Sequence, residues 1–323
     1  MAKELYEDNL VFADTMNVLF FDGESMIRAQ DLSPLDPTEE HTIFDDDFVS
    51  ITESEGKTDK TQRKAEAFSN QKYRDVLRML QTQNGKLEVR IIVGAEIQSH
   101  IHYAMPIRNF EYDALNLSRQ LSARQKYNRE NHLLKSRNEF LSGIKKGETF
   151  TPVLTVVVYL GKETWDAPKT LHEMFNLDGV PETLLAYVPD YRTAILQPES
   201  VTSKQLARMK SPLRHILGVI KASTNWQDMN NYVNQNKNDL SHLDSLTASI
   251  ISEACNMNIP KQELEKEDVN MCNALVEMKA IARSEGELIG KILAYLDCGK
   301  SDEWIVDHLQ ISQEKLNELR NNL

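Results

Sequence analysis

Two acidic residues on neighbouring arms of a predicted β-hairpin could together bind a divalent metal ion. Asn84-Gly85 predicts a tight turn between the arms, because both central residues of a type I′ turn need positive φ. Residues 87–98 are rich in β-branched side chains, which predicts a buried central strand as the second arm. Asp75 lies on the first arm and Glu96 on the second, so the hairpin register decides whether their carboxylates meet.

A two-residue turn fixes one register for this hairpin. Gln83 then lies opposite Lys86, and Asp75 lies opposite Gly94. Asp75 and Glu96 become diagonal neighbours on one face of the sheet, with Cβ atoms about 7 Å apart. A register change of one residue would turn Asp75 to the other face.

Gln98 shares this face with Glu96, because side chains alternate along a strand. Two carboxylates at this separation are typical ligands of Mg²⁺ or Mn²⁺, which prefer hard oxygen donors. The alternative is that both acids face water and that Asp75 pairs with Arg74 or Arg78. The spacing alone leaves both interpretations open.

The elements predicted around the hairpin form an α/β unit. Residues 105–125 predict an amphipathic helix that begins at Pro106 and packs its apolar face against the core. That face consists of Ile107, Phe110, Ala114, Leu117 and Leu121. We also predict helices at 7–21 and 61–72, a buried strand at 150–161, an ambiguous segment at 184–196, and a long acidic loop at 31–63 with one short strand near 48–52.

From about residue 203 onward, the sequence predicts helices almost throughout. The chain ends in a helix-turn-helix-like hairpin at 300–320, with Ser301 and Ser312 at helix N-cap positions. The second helix of this hairpin begins Gln313, Glu314 and Lys315, which favours packing or oligomerisation over reading DNA.

The charge distribution matters more than the net charge of −12 over 323 residues. Residues 1–60 hold 16 acidic and 4 basic residues, so the rest of the chain is neutral. Within that rest, residues 119–146 carry 8 basic and 2 acidic residues, which suit either phosphate contacts or a solvated helix face.

Three cysteines without a CxxC pair indicate neither a zinc site nor a disulfide framework. With an acidic N-terminus and no apolar segment of spanning length, we expect a cytoplasmic protein that does not enter a membrane.

Five segments carry a resemblance to a known family. The most specific is an E-x-Q motif that ends an apolar strand and is followed by HYAMP and a helix containing YDAL. The chain resembles, over about 12–200, the YhgA-like putative transposases of the recombination-promoting nuclease group, within the PD-(D/E)XK nuclease superfamily. The matching segments are FADTMNVLFFDGESMI (12–27), YRDVLRM (73–79), VGAEIQSHIHYAMPIRNFEYDALNLSRQ (93–120), FLSGIKKGETFTPVLTVVVYLGKETWDAP (140–168) and LHEMF (171–175).

The resemblance implies an α/β nuclease-like domain at 1–200, with a mixed sheet flanked by helices, and a helical C-terminal region at 201–323. It also implies a site for Mg²⁺ or Mn²⁺ in that sheet. Asp75 and Glu96 match the family's two metal-binding acids, and Gln98 takes the catalytic position that is Lys in most of the superfamily. Asp14 is the candidate for a further metal-binding acid in the first helix. The candidate DNA contacts are Arg108, Arg119, Arg124 and Lys126.

The resemblance therefore implies a Mg²⁺-dependent endodeoxyribonuclease that hydrolyses phosphodiester bonds in DNA recombination. Gln98 carries no charge, so the alternative is a catalytically weak or inactive nucleic-acid-binding protein with the same fold. A third hypothesis is an interaction protein without a nucleic-acid role. For any of the three, the helical C-terminal region could support a homo-oligomer.

Overall fold

A computed structural model describes residues 2–35, 38–42, 69–73, 75–83, 88–257 and 259–321. The chain divides into two compact units, with the boundary between Ser211 and Pro212. The sequence placed the boundary slightly earlier, after residue 200. The acidic segment around the strand predicted near 48–52 lies outside the described residues.

The described residues of the first unit include a five-stranded mixed sheet, which confirms the predicted α/β class. The order of its strands is β1-β4-β5-β6-β7, in which β5 pairs antiparallel with β4 and parallel with β6. A separate antiparallel pair is formed by β2 and β3. The strands are β1 (Leu32–Pro34), β2 (Thr38–Thr42), β3 (Ser69–Tyr73), β4 (Val76–Gln83), β5 (Glu88–Gln98), β6 (Val153–Tyr159) and β7 (Ala194–Leu196).

Among its described residues, the first unit has six α-helices besides these strands. The longest is α3, which follows the central strand β5, as the sequence predicted. The helices are α1 (Ala2–Leu5), α2 (Asn9–Phe21), α3 (Met105–Glu130), α4 (Arg137–Ser142), α5 (Glu182–Leu185) and α6 (Ser203–Arg208), with short 3₁₀ turns at Ala29–Asp31, His172–Met174 and Pro198–Ser200.

The predicted hairpin between β4 and β5 is confirmed, but its predicted register is wrong. Gln83 pairs with Glu88, and Gly94 pairs with Leu77 instead of Asp75. Four residues therefore connect the strands where we predicted two, and these lie outside the described residues. The difference from the predicted register is two residues, so every side chain keeps its face and Asp75 comes level with Glu96.

Two other predictions near the hairpin are also wrong. The helix predicted at 61–72 conflicts with the strand β3, which begins at Ser69. The segment predicted as a loop from residue 31 contains β1 and β2. Strand pairing decides these short polar segments, because their own sequences carry no alternation of apolar and polar residues.

Helix α3 packs in the opposite orientation to the prediction. Its buried face includes Asn109, Tyr112, Asp113 and Asn116. This polar face finds polar partners on the sheet, since the Thr155 hydroxyl donates a hydrogen bond of 2.7 Å to Asp113. The periodicity located the two faces of the helix correctly, but the polar sheet surface reverses which of them is buried. The large residues of the predicted apolar face are 38–47% exposed: Ile107, Phe110, Leu117 and Leu121.

The described residues of the second unit form helices, together with one isolated β-bridge between Leu243 and Val269. The C-terminal hairpin begins its two helices at the predicted caps, with Ser301 accepting a hydrogen bond from Trp304 N and Ser312 from Lys315 N. The helices are α7 (Leu213–Ala222), α8 (Trp226–Gln235), α9 (Lys237–Leu240), α10 (Ser245–Ala254), α11 (Lys261–Leu264), α12 (Cys272–Asp297), α13 (Asp302–Leu309) and α14 (Gln313–Asn321).

Among the described residues, no helix is long and apolar enough to cross a membrane. The cysteines are free thiols: Cys255 and Cys272 are buried, and Cys298 is exposed.

Candidate active site

The two candidate metal ligands lie at the end of the β4–β5 hairpin that is remote from its turn. Glu96 is on the central strand β5 and is completely buried. Asp75 immediately precedes β4 and is partly buried. The Asp75 carboxylate accepts a hydrogen bond of 2.8 Å from the backbone N–H of Ile97, the residue after Glu96. This bond fixes Asp75 beside the strand that carries Glu96.

A guanidinium group from helix α3 contacts this acidic pair. Arg108 Nη2 lies 2.9 Å from Glu96 Oε2, and the Arg108 side chain is 35% exposed. Arg108 Nε donates a hydrogen bond of 3.2 Å to the Tyr112 hydroxyl, one turn further along the helix. The guanidinium carbon also lies 5.6 Å from the centre of the Tyr112 ring. Tyr112 therefore holds the arginine while its terminal nitrogen contacts Glu96.

The charges of Glu96 and Asp75 affect the pKa values of the same two side chains on α3, Arg108 and Tyr112. Burial alone would lower the pKa of the Arg108 guanidinium, but the charges of Glu96 and Asp75 contribute to a net rise. Burial raises the pKa of the Tyr112 hydroxyl, and the same two carboxylates raise it further. Asp75 and Glu96 thus create a shared negative potential beside α3.

Gln98 lies two residues after Glu96 on the same strand face and is partly buried. In the parallel register with β6 it is the neighbour of Tyr159. Its amide can donate or accept a hydrogen bond, but it cannot supply the positive charge of a lysine.

Asn109 is a further polar residue of this region, and sequence reasoning missed it. It is completely buried, and its side chain has no hydrogen-bond partner within the described part of the chain. Met105, one turn earlier on α3, packs with Val157, which is the register neighbour of Glu96. Helical spacing therefore places Asn109 over the same part of the sheet. A buried amide without a partner needs a water molecule or a ligand.

The donor set at this site fits a hard divalent cation. Two carboxylates and an amide are oxygen ligands, and the contact between Arg108 and Glu96 demonstrates that the buried carboxylate accommodates a positive charge. Among the described residues, no cluster of three His, Cys, Asp or Glu side chains could hold a metal. Two acids suffice for Mg²⁺, which keeps several water molecules and commonly binds substrate phosphate as well.

Asp14, the third predicted metal ligand, has a different environment. It lies on α2 and is 6% exposed. Its Oδ2 atom accepts hydrogen bonds of 2.8 and 2.7 Å from the backbone N–H groups of Lys210 and Ser211. The carboxylate therefore joins α2 to the end of the first unit. The structure does not gather it with Asp75 and Glu96 into a group of three acids among the described residues.

The predicted DNA contacts separate into one site residue and three outward residues. Arg108 contacts Glu96, as described above. Arg119 is exposed on α3, and Lys126 has a 76% exposed side chain that lies 3.9 Å from Glu130. Arg124 lies 3.5 Å from Glu148 through its Nε atom. The basic residues other than Arg108 thus line the outer part of α3.

Comparison with known proteins identifies the family. A family model described as "Putative transposase, YhgA-like" matches residues 65–250, which is more than half of the chain. The chain belongs to the YhgA-like transposase family. This confirms the resemblance found in the sequence. No curated protein and no solved structure matches the chain significantly.

The extent of the match bears on the candidate residues of this YhgA-like chain. Asp75, Glu96, Gln98 and Arg108 lie inside the matched range, and Asp14 lies outside it. The match starts later than the resemblance we inferred and extends further, to residue 250 within α10 of the helical unit. The matched range therefore includes the strands from β3 to β7 and part of the second unit, whereas β1 and β2 precede it.

Proposed function

We propose that this chain is a Mg²⁺-dependent endonuclease that hydrolyses phosphodiester bonds in DNA, with a nuclease site of the PD-(D/E)XK type. The observation that carries the proposal is the placement of two carboxylates at the end of the central hairpin: Glu96 contacts the cation of Arg108, and Asp75 is hydrogen-bonded to the backbone N–H of Ile97, the residue after Glu96. Membership of a transposase family makes DNA the expected partner. Mn²⁺ is expected to substitute for Mg²⁺.

Asp75 and Glu96 would hold the metal, and a different feature of the fold fixes each side chain in position. The backbone N–H of Ile97 orients Asp75, while burial in β5 fixes Glu96. Bound Mg²⁺ supplies an activated water molecule and neutralises charge on the phosphoryl oxygens. The Gln98 amide can orient that water or donate a hydrogen bond to a phosphoryl oxygen.

The exposed basic side chains of α3 would bind the phosphate backbone of DNA. Arg119, Arg124 and Lys126 belong to the segment 119–146, whose positive charge can attract phosphate despite the acidic chain. These contacts would align the strand without reading its sequence.

The direct test is nicking of supercoiled plasmid by purified protein with Mg²⁺ or Mn²⁺. We expect nicking by the unmodified protein and its abolition by Asp75→Ala or Glu96→Ala. Asp178→Ala is the matched control, because Asp178 is exposed and lies outside the candidate site. Equal nicking by all four proteins would reveal a contaminating nuclease and refute the site.

The alternative, a nucleic-acid-binding protein without cleavage, has one observation in its favour. Gln98 leaves the strand without the positive charge that a lysine would supply. This alternative predicts a gel shift with DNA in EDTA that weakens steeply with salt, and no nicking in Mg²⁺. Nicking that depends on Asp75 and Glu96 would exclude it.

A further inference from the structure

The candidate site contains a positive charge that comes from a helix and not from a strand. Gln98 is uncharged, whereas the guanidinium of Arg108 on α3 lies 2.9 Å from the Glu96 carboxylate. Arg108 thus brings to the site a positive charge that Gln98 does not supply. Its contact is with a candidate metal ligand, so arginine and metal would compete for the same oxygens.

The two partners of this ion pair differ in their freedom to move. Glu96 is completely buried on the central strand, whereas the Arg108 side chain is 35% exposed and reaches the site from α3. Because the guanidinium is one rigid plane, turning its terminal nitrogens outward would also move Nε and change its hydrogen bond to the Tyr112 hydroxyl. A guanidinium presents five donors in a planar fork, which matches a phosphate group as well as a carboxylate.

We propose that Arg108 exchanges partners during the reaction: it neutralises Glu96 in the metal-free protein and contacts a DNA phosphate once a divalent ion is bound. This inference rests on the proposed nuclease function and adds a role for one residue to it. In the metal-free state the arginine offsets part of the cost of burying the Glu96 carboxylate. In the loaded state it supplies the charge that Gln98 cannot provide.

The exchange has a specific consequence for metal affinity. Two ligands that compete for one carboxylate weaken each other reciprocally, typically by about 5- to 150-fold. Removal of the guanidinium should therefore tighten metal binding, although it slows cleavage. A residue that merely supported the fold would lower both the metal affinity and the cleavage rate.

The first experiment measures Mn²⁺ binding to the full chain by calorimetry. We expect Arg108→Gln to lower the dissociation constant by about tenfold. Arg192→Gln is the matched control, because it makes the same change at a residue with an 83% exposed side chain, and its affinity should equal that of the unmodified protein. An unchanged or weaker affinity in folded Arg108→Gln would overturn the proposal.

The second experiment compares plasmid nicking at saturating Mn²⁺. We expect Arg108→Gln to nick more slowly than the unmodified protein, with Arg108→Lys between the two because it retains the charge but loses the fork. Nicking by Arg108→Gln at the full rate would remove the phosphate contact from the proposal.

A third measurement needs no variant at position 108. The Nε–H resonance of Arg108, which is held by Tyr112, should shift when Mg²⁺ is added to the unmodified protein and should not shift in Glu96→Gln. A resonance that ignores Mg²⁺ in a protein that binds the ion would refute the exchange. If Mn²⁺ binding is unaffected by Asp75→Ala and Glu96→Ala, the proposed nuclease site itself fails, and that outcome is distinct from failure of the exchange.

Discussion

Two buried carboxylates in the first unit, Glu96 and Asp14, are held in opposite ways. Asp14 accepts hydrogen bonds from two backbone N–H groups, at Lys210 and Ser211. Glu96 instead contacts a guanidinium that belongs to a partly exposed side chain, Arg108. Both carboxylates are almost inaccessible to solvent, so burial does not distinguish them.

The difference lies in whether the partner can leave. A backbone N–H group is fixed by the chain, so Asp14 can change partners only if the end of the first unit unfolds locally. A side chain can rotate away, so Glu96 can exchange one cation for another. We therefore propose a metal at Glu96 and not at Asp14, with Asp75, which accepts one backbone hydrogen bond from Ile97, as the second ligand. The comparison shows that the mobility of its partner, and not burial, indicates whether a buried carboxylate can bind a second ligand.

The largest expected effect separates the two acids by activity. Glu96→Gln should reduce plasmid nicking by at least about a hundredfold, because the proposed metal ligand loses its charge. Asp14→Asn should nick at nearly the full rate, since its amide oxygen can still accept both backbone hydrogen bonds. We expect it to lose only about 1 kcal/mol in the free energy of unfolding. Loss of nicking in folded Asp14→Asn would show that Asp14 takes part in the reaction and would contradict the distinction drawn between Asp14 and Glu96.

The next effect concerns stability at the ion pair. Arg108→Gln should lower the free energy of unfolding by about 2 kcal/mol, because the buried Glu96 carboxylate loses the counter-charge that Arg108 supplies. This value lies below that of a fully buried pair, since the Arg108 side chain is 35% exposed. The double variant with Glu96→Gln should recover most of the loss, as measured by urea denaturation. If the loss in the double variant equals the sum of the losses in the two single variants, Arg108 and Glu96 are not coupled.

A smaller effect is expected at Asn109. Asn109→Leu replaces a buried amide that has no partner among the described residues. We expect the free energy of unfolding to change by less than about 1 kcal/mol, with a gain if the leucine packs well. If Asn109 holds a water molecule beside Glu96, nicking should fall in the same variant. A loss of stability equal to that of Arg108→Gln would instead identify Asn109 as part of the packing.

The smallest effect concerns a third carboxylate, Glu139, which is held by backbone groups at the surface. Hydrogen bonds from the backbone N–H groups of Lys146, Lys135 and Ser136 lower its pKa from 4.5 to about 2. A lowered pKa contributes stability that is present above about pH 4.5 and is lost as the pH falls through about 2. NMR titration of the Ser136 and Lys146 amides should follow that range. In Glu139→Gln the same amides should not titrate, and a midpoint near 4.5 in the unmodified protein would contradict the structure.

Much of the local structure could be predicted from the sequence. The hairpin arms, the helix after them and the caps at Ser301 and Ser312 follow from side-chain type and short-range spacing. The face shared by Asp75 and Glu96 survived an error in register, because that error was an even number of residues. The family followed from the E-x-Q motif and the residues after it.

The orientation of α3 could not be predicted, because periodicity defines two faces but not which of them packs inward. The usual rule places Phe110 inside and Asp113 outside. The sheet beneath α3 carries Glu96 and Thr155, so the polar face of the helix is the one that finds hydrogen-bonding partners there. The same reversal brings Arg108 to Glu96.

The sequence by itself determined which residue types stand on the hairpin and on which face, because strand alternation is a local property. Only the tertiary structure decided that Arg108 meets Glu96 and that Asp14 is held by backbone groups. Those contacts join residues that are distant along the chain, and their geometry depends on how α3 and α2 pack in the first unit. Packing therefore assigned each buried charge its partner, and the partner determines what chemistry the charge can perform.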